Sequence, residues 1–381
     1  MRFNTGRILS VMESMRRPNG AFWASLGPDY HSLWLRDMLH IAMCYGHLGE
    51  YSKALGCVWV IFDVFKRYKN DIKTRVLSPI TVPGSIIHAK YHPDTLDKIT
   101  TDDEWKHYQL DAIGLFLHVV ADFDFKHLRI GNTPVIRDKE DLEILFLLIA
   151  YLRSVEYWKA RDNGIWEECL ILHSSSLGAV VGGLRYVMRQ RLVETLTDSL
   201  IRPGEDALAA LFPYESRDEC PDRRSNPDHS HDCDAAQLTL IWPYNVIAKE
   251  TDIDLLLRRI VEGHTTEDGK WHCLLQKNGV QRYWGDAYCR SEEDGPQKGV
   301  SAPWPMFLFW LSIIHSQRKD HEGATRWFIE GSASITTENF IPESYQNGRP
   351  NVNTPLAWAH AIALIAWSKL PEEWRIKVNE R

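Results

Sequence analysis

Six strongly apolar segments recur along this chain, and each of them opens with a short polar or aromatic cluster. Their apolar side chains follow the spacing of a helix, whereas the alternation typical of a half-buried strand is scarce. The segments start at intervals of roughly 50 to 70 residues, as repeated supersecondary units do. They are SLWLRDMLHIAMCYGHL from Ser32, EWKHYQLDAIGLFLHVV from Glu104, ILHSSSLGAVVGGLRYV from Ile171, DCDAAQLTLIWPYNVI from Asp232, SAPWPMFLFWLSIIHS from Ser301 and NTPLAWAHAIALIAWS from Asn353.

Amphipathic stretches with one charged face lie between these segments and predict half-exposed helices. They span residues 50–69, 139–159, 251–262 and 319–332. Buried and half-exposed helices that alternate six times describe an all-α (α/α)6 toroid, with residues 1–381 as a single domain. The polar openings of the inner helices would then meet at one end of the toroid and form a pocket. The pattern leaves an irregular helical bundle open as the alternative.

Net charge and hydropathy argue against two classes of protein, those that bind nucleic acid and those that span a membrane. Lys and Arg number 44 and Asp and Glu 51, so the formal net charge is −7. A mildly acidic chain lacks the basic footprint of a nucleic-acid-binding protein. The longest dense apolar run, residues 142–152, is too short to span a bilayer. We therefore expect a protein that binds neither nucleic acid nor membrane, and the sequence indicates no obligate protein partner.

The N-terminal residues and the cysteines bear on the cellular compartment. The first twenty residues carry charges through their middle and no long apolar core, unlike a secretory signal. The seven cysteines are an odd number without CxxC spacing, which predicts free thiols and a cytoplasmic location. No nucleotide-binding motif is present, and no cofactor is expected.

One cluster of side chains is suited to metal binding, but it lacks the spacing of tetrahedral ligands, so no metal site is predicted. The cluster comprises Asp228, His229, His231, Asp232, Cys233 and Asp234. Asp234 is better interpreted as the opening of a helix.

Two glutamates occupy positions that suit acid–base chemistry. Glu167 adjoins Trp166 after an Asn-Gly turn, and a carboxyl beside an indole in a partly apolar site has a raised pKa, which suits a general acid. Glu343 follows Pro342 on the approach to the last inner helix, where it could act as a base. Two carboxylates on converging loops are what glycoside hydrolysis needs. Taken alone, each glutamate is more often a surface or capping residue.

Arg36 and Asp37 open the first inner helix and could bind adjacent sugar hydroxyls, since one offers donors and the other acceptors. A buried structural ion pair is the alternative. The fifteen tryptophans are compatible either with a sugar-binding cleft or with a large aromatic core.

Together these segments resemble glycoside hydrolase family 15, the glucoamylase and glucodextranase group, over essentially the whole chain. SLWLRD is similar to the family's Trp-x-Arg-Asp segment, EWKHYQLDA to its Gln-x-Asp-Ala helix opening, and VQRYWGDAYC to its Arg-Tyr…Asp-x-Tyr pocket segment. GIWEE resembles the segment of the family's general acid, and IPESY…TPLAWAHA resembles that of its general base. The family's catalytic domain is an (α/α)6 toroid, which agrees with the six apolar segments.

The resemblance implies an inverting exo-acting α-glucosidase that releases β-D-glucose from the non-reducing end of an oligosaccharide, without a cofactor. Glu167 would be its general acid and Glu343 its general base. Arg36 and Asp37 would hold the terminal glucose, and Glu168 the sugar beyond the scissile bond. The other residues expected at the substrate are Trp34, Trp105, Gln109, Asp111, Trp166, His173, Arg282, Asp286, Tyr288, Trp304 and Trp358.

Some features set this chain apart within the resemblance. The Arg-Asp motif comes too early for the preceding β-sandwich domain of many prokaryotic members, and residues 291–299 separate the Asp-x-Tyr motif from Trp304. The short build is similar to that of the isomaltose glucohydrolases of the family, which points to an α-1,6 substrate. A non-catalytic glucan-binding protein is the alternative, because the phosphorylase kinase α and β subunits carry a similar toroid. A toroid enzyme that acts on uronic acids is a third alternative. It should show more Arg and Lys at the helix openings than this chain has, which disfavours it.

Overall fold

The computed structural model describes residues 3–78, 87–100, 107–130, 133–193, 198–220, 230–267, 269–286, 288 and 302–380. Within these residues the fold is all-α, as the sequence predicts. The helices are α1 (Thr5–Ser14), α2 (Leu35–Leu48), α3 (Tyr51–Arg67), α4 (Lys69–Leu77), α5 (Leu110–Ile130), α6 (Lys139–Ser154), α7 (Ser174–Arg189), α8 (Asp198–Leu211), α9 (Leu238–Ile241), α10 (Glu250–Val261), α11 (Met306–Gln317), α12 (His321–Ala333), α13 (Ala357–Lys369) and α14 (Glu372–Glu380).

The helices form two concentric rings. In the inner ring α2 packs against α5, α5 against α7, α7 against α9, α9 against α11 and α11 against α13, and α13 closes the ring on α2. Helices α1, α3, α6, α8, α10 and α12 pack around them, while α4 lies on α6 and α14 on α12. The (α/α)6 toroid predicted from the six apolar segments is therefore confirmed.

The burial of each ring follows its sequence pattern. Every residue of 35–46 in α2 and of 357–366 in α13 is buried, because an inner helix has neighbours on all sides. In α10 of the outer ring the buried residues are Ile253, Leu256, Leu257 and Ile260, which share one face. No described helix is both long and apolar enough to cross a membrane.

Helices α5 and α7 approach each other very closely. A Cβ atom at Gly114 would lie 2.4 Å from the carbonyl carbon of Ala179. Only glycine lets two backbones come this near, so Gly114 holds the beginnings of α5 and α7 side by side. The loops that precede these two helices are thereby brought together.

The described strands are short and pair only two by two. They are β1 (Leu33–Trp34), β2 (Lys90–Tyr91), β3 (Ser230–Asp234), β4 (His264–Thr265), β5 (Trp271–His272), β6 (Leu275–Gln276), β7 (Gly279–Val280), β8 (Tyr283–Trp284), β9 (Tyr345–Gln346) and β10 (Arg349–Pro350). The antiparallel pairs are β1–β2, β3–β8, β4–β5, β6–β7 and β9–β10. Through their backbone hydrogen bonds, these strand pairs stabilise the long loops at the ends of the inner helices.

The fourth inner helix differs from the predicted one. The segment from Asp232 continues β3, forms a 3-10 turn at Ala235–Gln237 and yields only the short α9. Asp234 caps the turn in a capping box with Gln237, which confirms its interpretation as a helix opening. Pro243 has no N–H to donate and its ring would clash with the preceding turn, so the helix does not continue.

The prediction of seven free thiols is wrong for two cysteines. Cys169 and Cys220 form a disulfide, with their Cα atoms 5.5 Å apart. An odd number of cysteines does not reveal which of them the fold brings together, and the expected cytoplasmic location loses this support. The described free cysteines are Cys44, Cys57, Cys233 and Cys273. Cys289 lies outside the described residues.

Candidate active site

A cavity opens at the end of the toroid where the inner helices begin. It holds about 450 Å³ of space not occupied by protein, part of it open to solvent. The walls are the first turn of α2 and the loops that lead into α7, α11 and α13. The described residues that line the cavity are Ala24, Tyr30, Trp34, Arg36, Asp37, Ile165, Trp166, Glu167, Arg282, Tyr288, Trp304, Glu343, Leu356 and Trp358. Both predicted catalytic glutamates therefore face one cavity.

Glu167 lies in a tight turn of the loop before α7, which we call the acid loop (residues 161–171). Its backbone φ is +63°, a left-handed value that is rare outside glycine and persists only where the surroundings enforce it. The turn closes with a hydrogen bond from the Glu167 N–H to the Gly164 carbonyl, at 3.3 Å. Gly164 also has a positive φ, and a Cβ there would lie 2.8 Å from Nε2 of His173.

Arg36 ties the acid loop to the start of α5. Its Nη2 donates to Oε1 of Glu167 at 3.1 Å and to the Ile165 carbonyl at 2.7 Å. Its Nη1 donates to Oδ2 of Asp111 at 2.9 Å and to Oε1 of Gln109 at 3.0 Å. These contacts are all with protein. Gln109 and Asp111, both predicted at the substrate, thus lie behind Arg36 and not among the described lining residues.

The carboxyl of Glu167 has the properties of a proton donor. Burial raises its pKa above the usual value for glutamate, although the positive charge of Arg36 opposes the shift. Its second oxygen, Oε2, is buried without a hydrogen-bond partner among the described residues. A proton on Oε2 therefore has no acceptor within hydrogen-bond distance in the part of the chain that the structure describes.

Glu343 lies on the loop before α13 and is only 1 % exposed. The Tyr288 hydroxyl donates to its carboxylate, lying 3.1 Å from Oε1 and 3.2 Å from Oε2. Oε2 also accepts from the side-chain amides of Asn353, at 3.2 Å, and of Asn351. Burial raises the pKa of Glu343, and these donors oppose the shift because they stabilise the ionised form. A well-held carboxylate of increased basicity suits a general base.

Tyr30 completes the hydrogen-bonded group around Glu343, and the sequence did not reveal it. Its hydroxyl lies 2.8 Å from that of Tyr288, and its ring packs edge-on against Trp34 at 4.9 Å between centroids. Asn351 and Asn353 were also missed. Their only signal is that they follow Glu343 within one loop.

Asp37 faces the cavity from the first turn of α2 and is 7 % exposed. Burial raises the pKa of its carboxyl to about 7, although Arg36 opposes the shift. Close to neutral pH the side chain therefore exchanges between an acceptor and a donor of hydrogen bonds.

The second glutamate of the acid loop belongs to another charged group. Arg282 donates through Nη2 to Oε1 of Glu168 and to Oδ1 of Asp286, both at 2.6 Å, and through Nε to Oδ2 of Asp286 at 2.7 Å. The Tyr283 hydroxyl donates to the other oxygen of Glu168. The Glu168 side chain is 26 % exposed, against 7 % for Glu167. It is thus the more accessible of the two carboxylates.

Four of the tryptophans predicted at the substrate line the cavity, namely Trp34, Trp166, Trp304 and Trp358. The rings of Trp166 and Trp304 lie 5.6 Å apart, and the Arg36 guanidinium lies 5.5 Å from the ring of Trp358. The buried ammonium of Lys90, which the sequence did not single out, lies 4.6 Å from the ring of Trp34. Trp105 and the segment 291–299 lie outside the described residues.

His173 was predicted at the substrate, and the structure places it behind the acid loop. Its Nδ1 lies 3.3 Å from Oε1 of the buried Glu215, and its Nε2 lies 3.3 Å from the Cys169 carbonyl. Burial alone would lower its pKa, but the carboxylates of Glu215 and Asp162 raise it to about 9. His173 is therefore a charged group at neutral pH, and it contacts the acid loop through the Cys169 carbonyl.

Comparison with known proteins shows which protein family this chain resembles. Residues 5–184 match the model of glycosyl hydrolases family 15, which confirms the resemblance seen in the sequence. The matched range includes Arg36, Asp37 and Glu167 and ends before Glu343. The family match supports a glycoside hydrolase.

Solved structures share the fold over nearly the whole chain. A wild-type glycosidase is 17 % identical with a TM-score of 0.71, covering 96 % of this chain and 98 % of that one. The glucoamylase from Saccharomycopsis fibuligera is 14 % identical with a TM-score of 0.65, covering 98 % and 94 %. At these identities the likeness concerns the toroid itself.

Regulatory proteins are also similar to this chain. The probable phosphorylase b kinase regulatory subunit alpha of Caenorhabditis elegans is 23 % identical over 426 residues, which cover 94 % of this chain and 32 % of that protein. The skeletal muscle isoform of Mus musculus is 21 % identical over 324 residues, covering 76 % and 23 %. The chain spans about a third or less of the length of these relatives.

Proposed function

We propose that this chain is an inverting exo-acting α-glucosidase that releases β-D-glucose from the non-reducing end of short α-glucosides, isomaltose among them. The observation that carries the proposal is the pair formed by Glu167 and Glu343. They line one cavity from the loops before α7 and α13, and their carboxyl groups have different surroundings. Paired carboxyls with different tasks are the basis of inverting glycoside hydrolysis.

In the proposed reaction Glu167 protonates the glycosidic oxygen. Burial raises the pKa of its carboxyl, which favours the protonated form, and Arg36 holds Oε1, so that Oε2 would carry the proton to the leaving group. General acid catalysis of this kind contributes about 10²–10⁴ in rate.

Glu343 takes a proton from the water that attacks the opposite face of the sugar. Tyr288, Asn351 and Asn353 favour the ionised form of its carboxyl and fix its orientation. Water then attacks the anomeric carbon directly, the bond to the leaving oxygen breaks, and the configuration inverts. This course requires room for one water, and hence a separation of about 6.5–9.5 Å between the two carboxyl groups.

The terminal glucose would lie between Asp37 and the indole wall. Asp37 can bind sugar hydroxyls, while Trp166, Trp304 and Trp358 offer flat apolar faces to the pyranose ring. The preference for α-1,6 linkages rests on the short build of the chain, which is similar to that of isomaltose glucohydrolases.

Proton NMR of the anomeric region in the first minutes of isomaltose hydrolysis tests the proposal. We expect β-glucose to appear before mutarotation produces the α-anomer. Glu343→Gln should abolish the reaction while the protein stays folded, and Glu338→Gln, at an exposed position of the same segment, is the matched control. α-Glucose as the first product would contradict the role of Glu343. A panel of maltose, isomaltose, kojibiose, nigerose and trehalose measures the linkage preference.

A non-catalytic glucan-binding protein is the second candidate, favoured by the similarity to phosphorylase b kinase regulatory subunits. Calorimetry with isomaltose and maltotriose distinguishes the two functions. Binding without release of glucose from any member of the panel would favour the second candidate, and turnover would exclude it.

A further inference from the structure

Asp234 lies behind the cavity wall and binds the side chain of Trp166, the residue next to the proposed general acid. Nε1 of Trp166 donates to Oδ1 of Asp234 at 2.8 Å. Both residues are buried, with exposures of 5 % for Trp166 and 0 % for Asp234. Trp166 lines the cavity, whereas Asp234 is not among the described lining residues. Asp234 therefore acts on a substrate only through Trp166.

Asp234 is fixed in place by the regular structure around it. It is the last residue of β3, which pairs with β8, and it caps the 3-10 turn that follows. Its Oδ1 accepts the Ala236 N–H at 2.7 Å, and its Oδ2 lies 3.0 Å from Nδ1 of His231. The Ala235 N–H donates to the Arg282 carbonyl, also at 2.7 Å. Strand, turn and side-chain contacts together make Asp234 a rigid anchor.

The acid loop depends on such anchors, because Glu167 has a positive φ there. A backbone in that region persists only where its surroundings enforce it. Arg36 holds the loop from the side of α2, through the Ile165 carbonyl and Oε1 of Glu167. Asp234 holds the residue between those two, from the side of β3. The indole is thus the point at which the second anchor acts on the loop.

The other contacts of the Trp166 ring show what the hydrogen bond adds. The ring lies 5.6 Å from that of Trp304 and 5.8 Å from that of Phe307, and the Arg282 guanidinium lies 5.2 Å from it. None of these three groups accepts the indole N–H. A buried N–H without an acceptor is costly, so without Asp234 the ring would turn toward water or another acceptor. Such a turn would shift the adjoining backbone that carries Glu167.

We propose that Asp234 is a positioning residue of the reaction: its carboxylate fixes the Trp166 indole and thereby keeps Glu167 aimed at the glycosidic oxygen. The inference rests on the proposed function. Misplacement of a catalytic group by about 1 Å can lower a rate by about 10²-fold. Loss of the anchor should therefore cost most where a proton must be delivered, and little where the leaving group departs without one.

Asp234→Ser separates the contact with Trp166 from the capping role. Serine is also a good N-cap, so the turn keeps its cap, but the side chain is one bond shorter and no longer reaches the indole. Asp234→Asn is the conservative variant, because it retains an oxygen that can accept the indole N–H. Asp138→Ser is the matched control, since Asp138 caps α6 in another part of the fold. Circular dichroism melts show which variants are folded.

The first measurement is kcat on isomaltose divided by kcat on α-glucosyl fluoride. We expect Asp234→Ser to lower this ratio at least about tenfold, Asp234→Asn to stay within about threefold of wild type, and Asp138→Ser to leave it unchanged. Trp166→Phe removes the same hydrogen bond from the side of the indole and should also lower the ratio at least about tenfold, so the test stands even if Asp234→Ser does not fold.

The double variant decides whether Asp234 acts through Trp166. In protein that already carries Trp166→Phe, the further change Asp234→Ser should not lower the ratio, because the indole N–H is gone. A further loss in the double variant would overturn the proposal. Equal losses on both substrates in the single variants would overturn it as well, since they indicate a purely structural role.

Fluorine NMR of protein labelled with fluorotryptophan tests the contact without any substrate. The resonance that Trp166→Phe removes belongs to Trp166, and we expect it to move in Asp234→Ser, to move less in Asp234→Asn and to stay in place in Asp138→Ser. A resonance that stays in place in Asp234→Ser would overturn the proposal. Failure of the proposed function looks different, because wild-type protein would then hydrolyse neither glucosyl fluoride nor any disaccharide of the panel.

Discussion

Tyr288→Phe tests the proposed base more sharply than removal of Glu343 itself. The substitution deletes one hydroxyl, which lies 3.1 Å and 3.2 Å from the two carboxylate oxygens, and keeps the ring that packs 6.1 Å from Trp304 between centroids. The donor stabilises the ionised form of Glu343. Its loss must therefore raise the pKa of the carboxyl further above the usual value.

The size of the shift follows from the strength of the hydrogen bond. A hydrogen bond to a charged group contributes about 1.5–3 kcal/mol, and one pKa unit corresponds to about 1.4 kcal/mol, so the pKa should rise by about 1–2 units. Asn351 and Asn353 still donate to Oε2, which favours the lower end of that range. The acidic limb of the kcat/KM profile reports the base, and we expect it to move to higher pH by about one unit.

The assay is glucose release from isomaltose, measured as kcat/KM across the pH range with a pH-independent glucose determination on quenched samples. Below the acidic limb the variant should be about tenfold slower than wild type, and on the plateau the two rates should approach each other. Tyr345→Phe is the control, because its hydroxyl donates instead to the Ser334 carbonyl, at 2.6 Å. An acidic limb that stays in place or moves to lower pH in Tyr288→Phe would refute the assignment of Glu343 as the titrating base.

Three further predictions concern the proposed general acid Glu167, the proposed sugar-binding residue Asp37 and the contact of His173 with the acid loop. Glu167→Gln should lower the rate on isomaltose by about 10²–10⁴ and the rate on α-glucosyl fluoride much less, since fluoride needs little protonation to leave; equal losses would argue against Glu167 as the acid. Asp37→Asn should lower kcat/KM at least ~10-fold, or about 1.4 kcal/mol, without lowering the melting temperature; an unfolded variant would instead favour a structural ion pair. The pKa of His173 rises from about 6.5 in the unfolded chain to about 9 in the fold, so the stability that it contributes is complete below pH 6.5 and is lost as the pH rises through 9. Thermal melts should therefore show a melting temperature that declines from about pH 6.5 to about 9.5, and His173→Gln should lack this decline.

The toroid was predictable because its signal is local and repeated. An inner helix is apolar on every side, and each of the six apolar segments shows that property within about sixteen residues. The fourth is the exception. Its apolar run continues through Pro243, whereas the helix ends at Ile241, because backbone hydrogen bonding and sterics override hydropathy at a proline.

The site was predictable only where a motif stays within one loop. Glu167 and Glu343 stand out through their neighbours in the sequence, but their partners come from far along the chain. Arg36 reaches Glu167 across 131 residues, and Tyr30 reaches Tyr288 across 258. No periodicity or turn signal encodes such pairings. The same holds for the disulfide, which joins cysteines 51 residues apart.

The contacts of Arg36 show how a cation can lie beside the proposed proton donor, Glu167, without lowering the pKa of its carboxyl below the usual value. A lone guanidinium 3.1 Å from Glu167 would hold that carboxyl in its ionised form, which is the wrong form for an acid. Asp111 lies 2.9 Å from the same guanidinium, and Asp37 is its neighbour in the chain, so the positive charge is shared among several carboxyls. The effect of burial on the pKa of Glu167 then outweighs the opposing effect of Arg36, and the pKa stays above its usual value. Arg36 thus fixes the positions of Oε1 of Glu167 and of the Ile165 carbonyl, while Asp111 balances its positive charge. Among the described residues, the donors to Glu343 are neutral side chains, and the same hydrogen bonds therefore fix its position and favour its ionised form.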